Sequence, residues 1–192
     1  MILNKIREKT FVYHDDFTGW ANKILSGTAD NEHYKDVLKT FYGFYYPFEQ
    51  KLENVEEWKN HDFDLKRRRK SPMLVEDMKK LGITDDEIKD IKMCEKLPKM
   101  DNLANALGCM YVVEGATLGG QIVANKINEV LGFDGNNGAS FFNSYKENLR
   151  PMWKEFSDFI NKYSDDTNIT DPIVDASDET YHRFNEWLAK LR

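Results

Sequence analysis

Apolar residues recur every three or four positions along the 192-residue chain and almost never alternate strictly, a pattern that predicts helices nearly throughout. Ile2, Leu3, Ile6, Thr10, Tyr13, Phe17, Trp20, Ala21 and Ile24 mark one face of a first helix from Ile2 to about Leu25. Gly27 ends it, and Asp30 is placed to cap a second helix, from Asn31 to about Leu52, rich in Tyr and Phe and expected to kink at Pro47. Ser71 before Pro72 predicts an N-cap with proline at the first helical position, and Gly82 closes that short helix. Thr84 and Glu87 have the spacing of a capping box. A long helix runs from about Asp101 to Leu131 and gives way to a loop over Gly132, Gly135 and Gly138. A helix from about Ser140 to Tyr163 is expected to bend at Pro151. After a linker from Asp165 to Pro172, a last helix covers about Val174 to Leu191. With no internal repeat and no low-complexity segment, residues 1–192 read as a single all-α domain, a helical bundle.

Composition narrows the function. A hydrophobic share of 41% is ample for a core, whereas a net charge of −6 and a pI near 5.3 argue against nucleic acid, whose binders need a broad cationic surface. The amphipathic, charged start Met1-Ile-Leu-Asn-Lys-Ile-Arg7 does not resemble a secretory h-region, and no uninterrupted run of about 18 apolar residues offers a membrane span. The expectation is a soluble, cytoplasmic protein with no membrane partner. Cys94 and Cys109 form neither a CxxC pair nor a disulfide framework; they read as a surface thiol and a core thiol in a reducing compartment.

One stretch of the long helix is costly. Gly115, Gly119 and Gly120 fall within six residues of an otherwise apolar helix, and each interior glycine costs roughly 1 kcal/mol against alanine. Gly115 and Gly119 share a face, with Gly120 beside them, so the helix presents bare backbone on which a flat ligand can lie, or at which the helix can kink. The histidines, at 14, 33, 61 and 182, make no paired spacing for zinc, and Glu179-Thr-Tyr-His182 is a single Glu-x-x-His where a di-iron bundle needs two. His14 differs from the rest in lying on a largely apolar stretch, as a single axial ligand of haem would require.

These residues resemble a known family. Ile6-Arg7-Glu8-Lys9-Thr10 ahead of His14 is similar to the start of haem oxygenases, in which a threonine lies four residues before the proximal histidine. Gly115-Ala-Thr-Leu-Gly119-Gly120-Gln121 resembles the kinked, Gly-rich distal helix of that family. Leu65 to Leu74 with Asp77 to Gly82 resembles the basic-then-leucine segment of its bacterial, biliverdin-producing branch. The resemblance spans Ile2 to Leu188 and implies a haem-oxygenase-like fold that cleaves haem with dioxygen and external electrons to biliverdin, ferrous iron and carbon monoxide.

It also implies roles. His14 would ligate the iron as a neutral imidazole; Gly115, Gly119 and Gly120 would line the distal side of the haem and leave room for dioxygen. Arg7, and the i, i+4 pair Lys146 and Arg150, match basic positions that hold haem propionates; read without the resemblance, all three are solvated surface cations. Tyr111, one turn before Gly115, reaches the pocket or serves as a core aromatic. Two positions depart from the family pattern. Ala116 stands where many members carry an aspartate that anchors a water, and Thr18 replaces a commonly acidic residue. Without that aspartate, backbone carbonyls or Thr117, Gln121 or Asn125 would have to order the water.

The run Lys66-Arg-Arg-Arg-Lys70 reads as a solvated turn of helix, or as a docking surface for an anionic electron donor. The resemblance implies such a donor, a ferredoxin or flavodoxin with its reductase, because the chain carries no flavin or iron–sulfur motif. Two other readings stand beside the enzyme: a haem carrier, store or sensor on the same fold, and a thiaminase-like ligand binder, which would need an activated cysteine.

Overall fold

The computed structural model describes residues 1–13 and 19–191, so the positions of His14 and Thr18 lie outside the described residues. It is one helical domain with no strand among those residues. Helix α1 covers Ile2–Thr10 and passes into a 3-10 turn, Phe11–Tyr13. A second 3-10 turn, Gly19–Ala21, leads to the short α2, Asn22–Leu25. Helix α3 is Asn31–Glu53, α4 Ser71–Lys80, α5 Asp85–Lys89 and α6 Leu103–Leu131; α7 covers Leu149–Asn161 and α8 Thr167–Leu188.

The expected first helix is therefore interrupted. Ile2, Ile6, Thr10, Trp20, Ala21 and Ile24 are all buried as the periodicity requires, but the α-helix stops at Thr10 and Phe11 and Val12 are exposed. Thr10, Phe11, Val12 and Tyr13 are β-branched or aromatic, a run that loses side-chain freedom in a helix and tightens here into 3-10 geometry.

Caps and glycines punctuate the chain largely as expected. Asp30 accepts from the His33 backbone N–H at 2.8 Å, Thr84 and Glu87 form a full capping box, and Gly82 and Gly132 end their helices at φ +82° and +78°. Ser71 is not a cap. It lies inside α4, and its hydroxyl donates to the Glu49 carboxylate instead. The expected helix over Ser140 to Tyr163 is shorter: residues 140–145 form turns, Lys146–Asn148 a 3-10 turn, and α7 starts at Leu149. Pro151 then falls in the first helical turn, where its missing N–H costs nothing, so no bend is called for. Helix α8 starts earlier than expected, capped by Asp166, and Pro172 sits six residues in rather than before it. Cys94 is buried like Cys109, which corrects its reading as a surface thiol.

Helix α6 is the spine. It is long and apolar enough by composition to cross a membrane, although no uninterrupted apolar run marks it, and most of that apolar stretch is buried within the fold. It packs most extensively on α8. The two backbones approach at Gly108, where a Cβ would overlap the Ile173 carbonyl, and Ser177 Oγ donates to the Gly108 carbonyl at 3.1 Å. Tyr34, Phe44 and Phe48 of α3, Phe156 of α7 and Phe184 of α8 are fully buried, with Phe44 and Phe184 stacked at 4.2 Å. Gly115 and Gly119 follow on the same face of α6, two and three turns beyond Gly108, where the α8 contact gives way to residues of α1.

Candidate functional site: a glycine-faced apolar cavity

A cavity of about 720 Å³ opens between α1, α6 and the 141–144 segment. Its walls are mainly aromatic and aliphatic. Thr10 and Phe11 come from the α1 side, Trp20 and Ala21 from the turn beyond residues 14–18, and Phe41 and Tyr45 from α3. A further wall is α6 from Tyr111 to Val123, which runs as an unbroken α-helix through its glycines, with no interruption of the helical pattern at the expected kink.

The three glycines have different surroundings. A Cβ on Gly119 would meet nothing within 4 Å, and one on Gly115 would meet only the Trp153 ring at 3.9 Å. Gly120 borders the cavity too, but its Cβ would stand 2.5 Å from the Phe142 carbonyl oxygen. Gly115 and Gly119 thus give the cavity a flat backbone face. Gly120 lets the chain returning at Phe142 press against the helix.

Arg7 and Tyr111 also line the cavity, and they are paired there. Burial pushes the Tyr111 hydroxyl up from its ordinary value, and the positive charge of the nearby Arg7 guanidinium opposes the shift. Tyr181, on α8, is pushed up to about 12 by burial, with Tyr111 adding to the shift. Arg7 itself is exposed, at the cavity edge. Lys146 and Arg150 are not part of this wall. Both are exposed, Lys146 Nζ donates to Asn136 Oδ1 at 3.2 Å, and the two residues lie on different elements rather than on one helix face.

The basic run is not a solvated turn. Arg67 is exposed and ion-paired with Glu155, but Arg68 and Lys70 are buried at 5% and 3% relative exposure. Both converge on Glu114, itself buried, one residue before Gly115. Arg68 Nη1 donates to Glu114 Oε2 at 2.6 Å, and its Nη2 donates to the Met152 carbonyl at 3.2 Å. Lys70 Nζ donates to the Arg68 carbonyl and to the Tyr145 hydroxyl, each at 2.7 Å, while Tyr145 donates to Glu114 Oε1 at 2.8 Å. The Glu49 carboxylate accepts from the backbone N–H of Lys70 and Ser71, and burial pushes it up from its ordinary value. Reading the run as surface missed this cluster. The signal was Glu114, a lone carboxylate in an apolar stretch of core helix, which can be buried only with cations to meet it.

Of Thr117, Gln121 and Asn125, Thr117 alone lines the cavity. Thr117 Oγ1 donates to the Glu114 carbonyl at 2.6 Å, Gln121 Nε2 donates to the Lys146 carbonyl at 3.1 Å, and Asn125 is exposed. Ala116 lies on the cavity wall with no polar side-chain atom.

The residues present fit a flat, largely apolar ligand with an anionic edge. The bare backbone at Gly115 and Gly119 would be filled by side chains at almost any other residue, the walls are aromatic, and a cation stands at the rim. The sequence matches the family model described as Heme oxygenase over residues 1–190. The chain belongs to the haem oxygenase family. Among solved structures, the fold is similar to the NO- and CO-bound heme oxygenase of Neisseria meningitidis, with a TM-score of 0.76 at 16% identity, covering 100% of this chain and 92% of that one. It is similar also to heme oxygenase-1 of the cyanobacterium Synechocystis sp. PCC6803, solved in complex with heme, with a TM-score of 0.75 at 15% identity and the same coverage. No curated protein sequence matches the chain significantly. At these identities the structural likeness concerns the fold, and the family assignment rests on the sequence model.

Proposed function

We propose that the protein is a haem oxygenase that opens haem with dioxygen and external electrons to biliverdin, ferrous iron and carbon monoxide. The observation that carries this reading is the open backbone face at Gly115 and Gly119 on the wall of a cavity with aromatic sides. As substrate, haem would supply both the iron at which dioxygen is reduced and the macrocycle that is cleaved.

The chain's own part is binding, orientation and exclusion of water. Gly115 and Gly119 admit the macrocycle against the backbone of α6. Phe41, Phe141 and Trp153 contribute apolar wall, and Arg7 at the rim takes a carboxylate of the ligand. His14 is the proposed iron ligand on sequence grounds. The reading places the protein in the cytoplasm, supplied with electrons by a ferredoxin or flavodoxin and its reductase. A haem carrier on the same fold is the second reading, and Ala116 is the residue that favours it.

The test is direct. The haem complex, supplied with ascorbate or with ferredoxin, its reductase and NADPH, is expected to lose its Soret band while a long-wavelength bilin absorption grows and carbon monoxide is released. The haem of His14→Ala is expected to lack the histidine–iron signal in resonance Raman spectra. A haem complex that survives reductant under air, with neither bilin nor carbon monoxide, would leave the carrier.

A further inference from the structure

The buried cluster around Glu114 separates two cavities. Lys70 borders the main one, where Arg7 and Lys70 are the only charged side chains on the wall among the described residues. Tyr145 borders a second, more open cavity of about 400 Å³, whose rim carries Arg67, Asn148 and Glu155. Ser144 reaches both. Lys70 and Tyr145 therefore bridge the two, through the 2.7 Å contact between Nζ and the phenolic oxygen. We propose that Lys70 is the proton donor to the ligand in the main cavity, and that Tyr145 resupplies it from the second cavity, in place of a carboxylate at position 116. The assignment rests on haem and dioxygen being the ligands of the main cavity.

The hydrogen-bond directions suit the transfer. Two N–H groups of the Lys70 ammonium go to the Arg68 carbonyl and the Tyr145 hydroxyl at 2.7 Å, but the Glu114 carboxylate stands at 3.5 Å, so the third N–H is held more loosely than the other two. On donating a proton to reduced oxygen, Lys70 becomes a neutral amine with a lone pair. The Tyr145 hydroxyl, which donates to Glu114 in the resting arrangement, turns to the amine and gives up its proton while accepting one from water in the second cavity. Each proton used is thus replaced from solvent, and Tyr145 ends as it began. Glu114 takes no part in the transfer and keeps its contact with Arg68 at 2.6 Å.

Burial favours release from Lys70, against the two carboxylates that face it. Burial pushes its ammonium down from the ordinary lysine value and Arg68 adds to that shift, while Glu114 and Glu49 oppose it. The tyrosines of the adjoining wall, Tyr45, Tyr111 and Tyr181, are pushed up by burial and stay neutral phenols. Tyr145 is likewise pushed up, by burial and by Glu114, so it relays protons without becoming a phenolate store.

The experiment compares the haem complexes of the wild type, Lys70→Met and Tyr145→Phe. Haem affinity, the pH midpoint of the visible-spectrum transition of the ferric complex, and the rate of conversion are measured in each. Lys70→Met is expected to bind haem within about threefold of the wild type. Loss of a nearby cation makes deprotonation at the ligand harder, so its midpoint should rise by about one pH unit, and conversion should fall roughly a hundredfold, as for loss of a general acid. Tyr145→Phe keeps the cation, so its midpoint should stay put while conversion falls about tenfold. An unmoved midpoint in Lys70→Met overturns Lys70 as donor, and a wild-type rate in Tyr145→Phe overturns the relay. Should Lys70→Met fail to fold, Tyr145→Phe decides alone. A wild type that binds haem without degrading it would refute the proposed activity, and the midpoint shift would still decide whether Lys70 reaches the ligand.

Discussion

The Phe142 carbonyl oxygen lies 2.5 Å from the point where a Cβ on Gly120 would stand, so the chain crossing α6 at Phe142 can sit there only because residue 120 has no side chain. That contact forms one wall of the cavity, since Phe141 and Phe142 both line it. Gly120→Ala is therefore expected to destabilise the fold although alanine is the better helix former. Overpacking costs up to about 3 kcal/mol and the helix recovers about 1 kcal/mol, leaving a loss of about 2 kcal/mol. For a domain of this size that lowers Tm by about 4–8 °C, which calorimetry of the ligand-free protein would resolve. A Tm at or above the wild-type value would show that Phe142 moves away freely.

Gly119 should behave in the opposite way. With nothing within 4 Å of its missing Cβ, Gly119→Leu has room to fold, and it gains helix propensity of about 0.8 kcal/mol. Its side chain would then project into the space that the macrocycle needs. Unchanged or slightly raised stability together with at least about a tenfold loss of haem affinity is expected, by thermal melts and Soret titration. Wild-type affinity in this variant would mean that the ligand does not use the α6 backbone face.

The glycine pattern was legible because three glycines in an apolar helix need a physical reason, but the sequence could not separate their reasons. Gly119 faces open space and Gly120 faces a carbonyl that arrives from 22 residues later in the chain. Gly108, whose missing side chain lets α8 close on α6, was not singled out, since an isolated helical glycine carries no such signal. The helices around Asp30, Thr84 and Gly132 were legible because their caps are local chemistry. The start of α7 was not, because Pro151 means a bend mid-helix and means nothing in the first turn, and only tertiary packing decides which it is. The buried half of the basic run was hidden for a similar reason. Arg68 and Lys70 look like Lys66 and Arg67 until Glu114, 44 residues beyond Lys70, is brought to them.

Asp77 fixes the segment that Gly120 admits. Its carboxylate accepts from the backbone N–H of Ser140 at 2.9 Å and of Phe141 at 2.8 Å, and burial raises its pKa despite those bonds. Asp77→Ala leaves both N–H groups without their acceptor and is expected to cost about 2–3 kcal/mol in chemical denaturation, with weakened haem binding because Phe141 and Phe142 lose their anchor. The raised pKa sets the sign of the pH dependence. The folded state binds the Asp77 proton more tightly than the unfolded chain does, so this group's contribution is complete below the ordinary aspartate value and is lost as pH rises through the raised folded value. In acid titrations of stability, Asp77→Ala should lack that component. A variant with wild-type stability and an unchanged acid limb would show that the loop is held by other contacts.

Arg7 and Arg150 separate a rim cation from a surface one. Arg7 lines the cavity and pairs with Tyr111, whereas Arg150, like Lys146, is exposed and outside the wall. Arg7→Ala is expected to weaken haem binding about fivefold to tenfold, the loss of one partly exposed charge-assisted contact, and the deficit should shrink at high salt as exposed charges are screened. Arg150→Ala and Lys146→Ala should each stay within about twofold of the wild type at every salt concentration. Neither set should alter the fold, so circular dichroism serves as the control for both. If Arg150→Ala or Lys146→Ala instead weakened binding as much as Arg7→Ala, the segment over residues 143–150 would have to close on the ligand when haem binds, and the cavity edge would be defined by that movement rather than by α1.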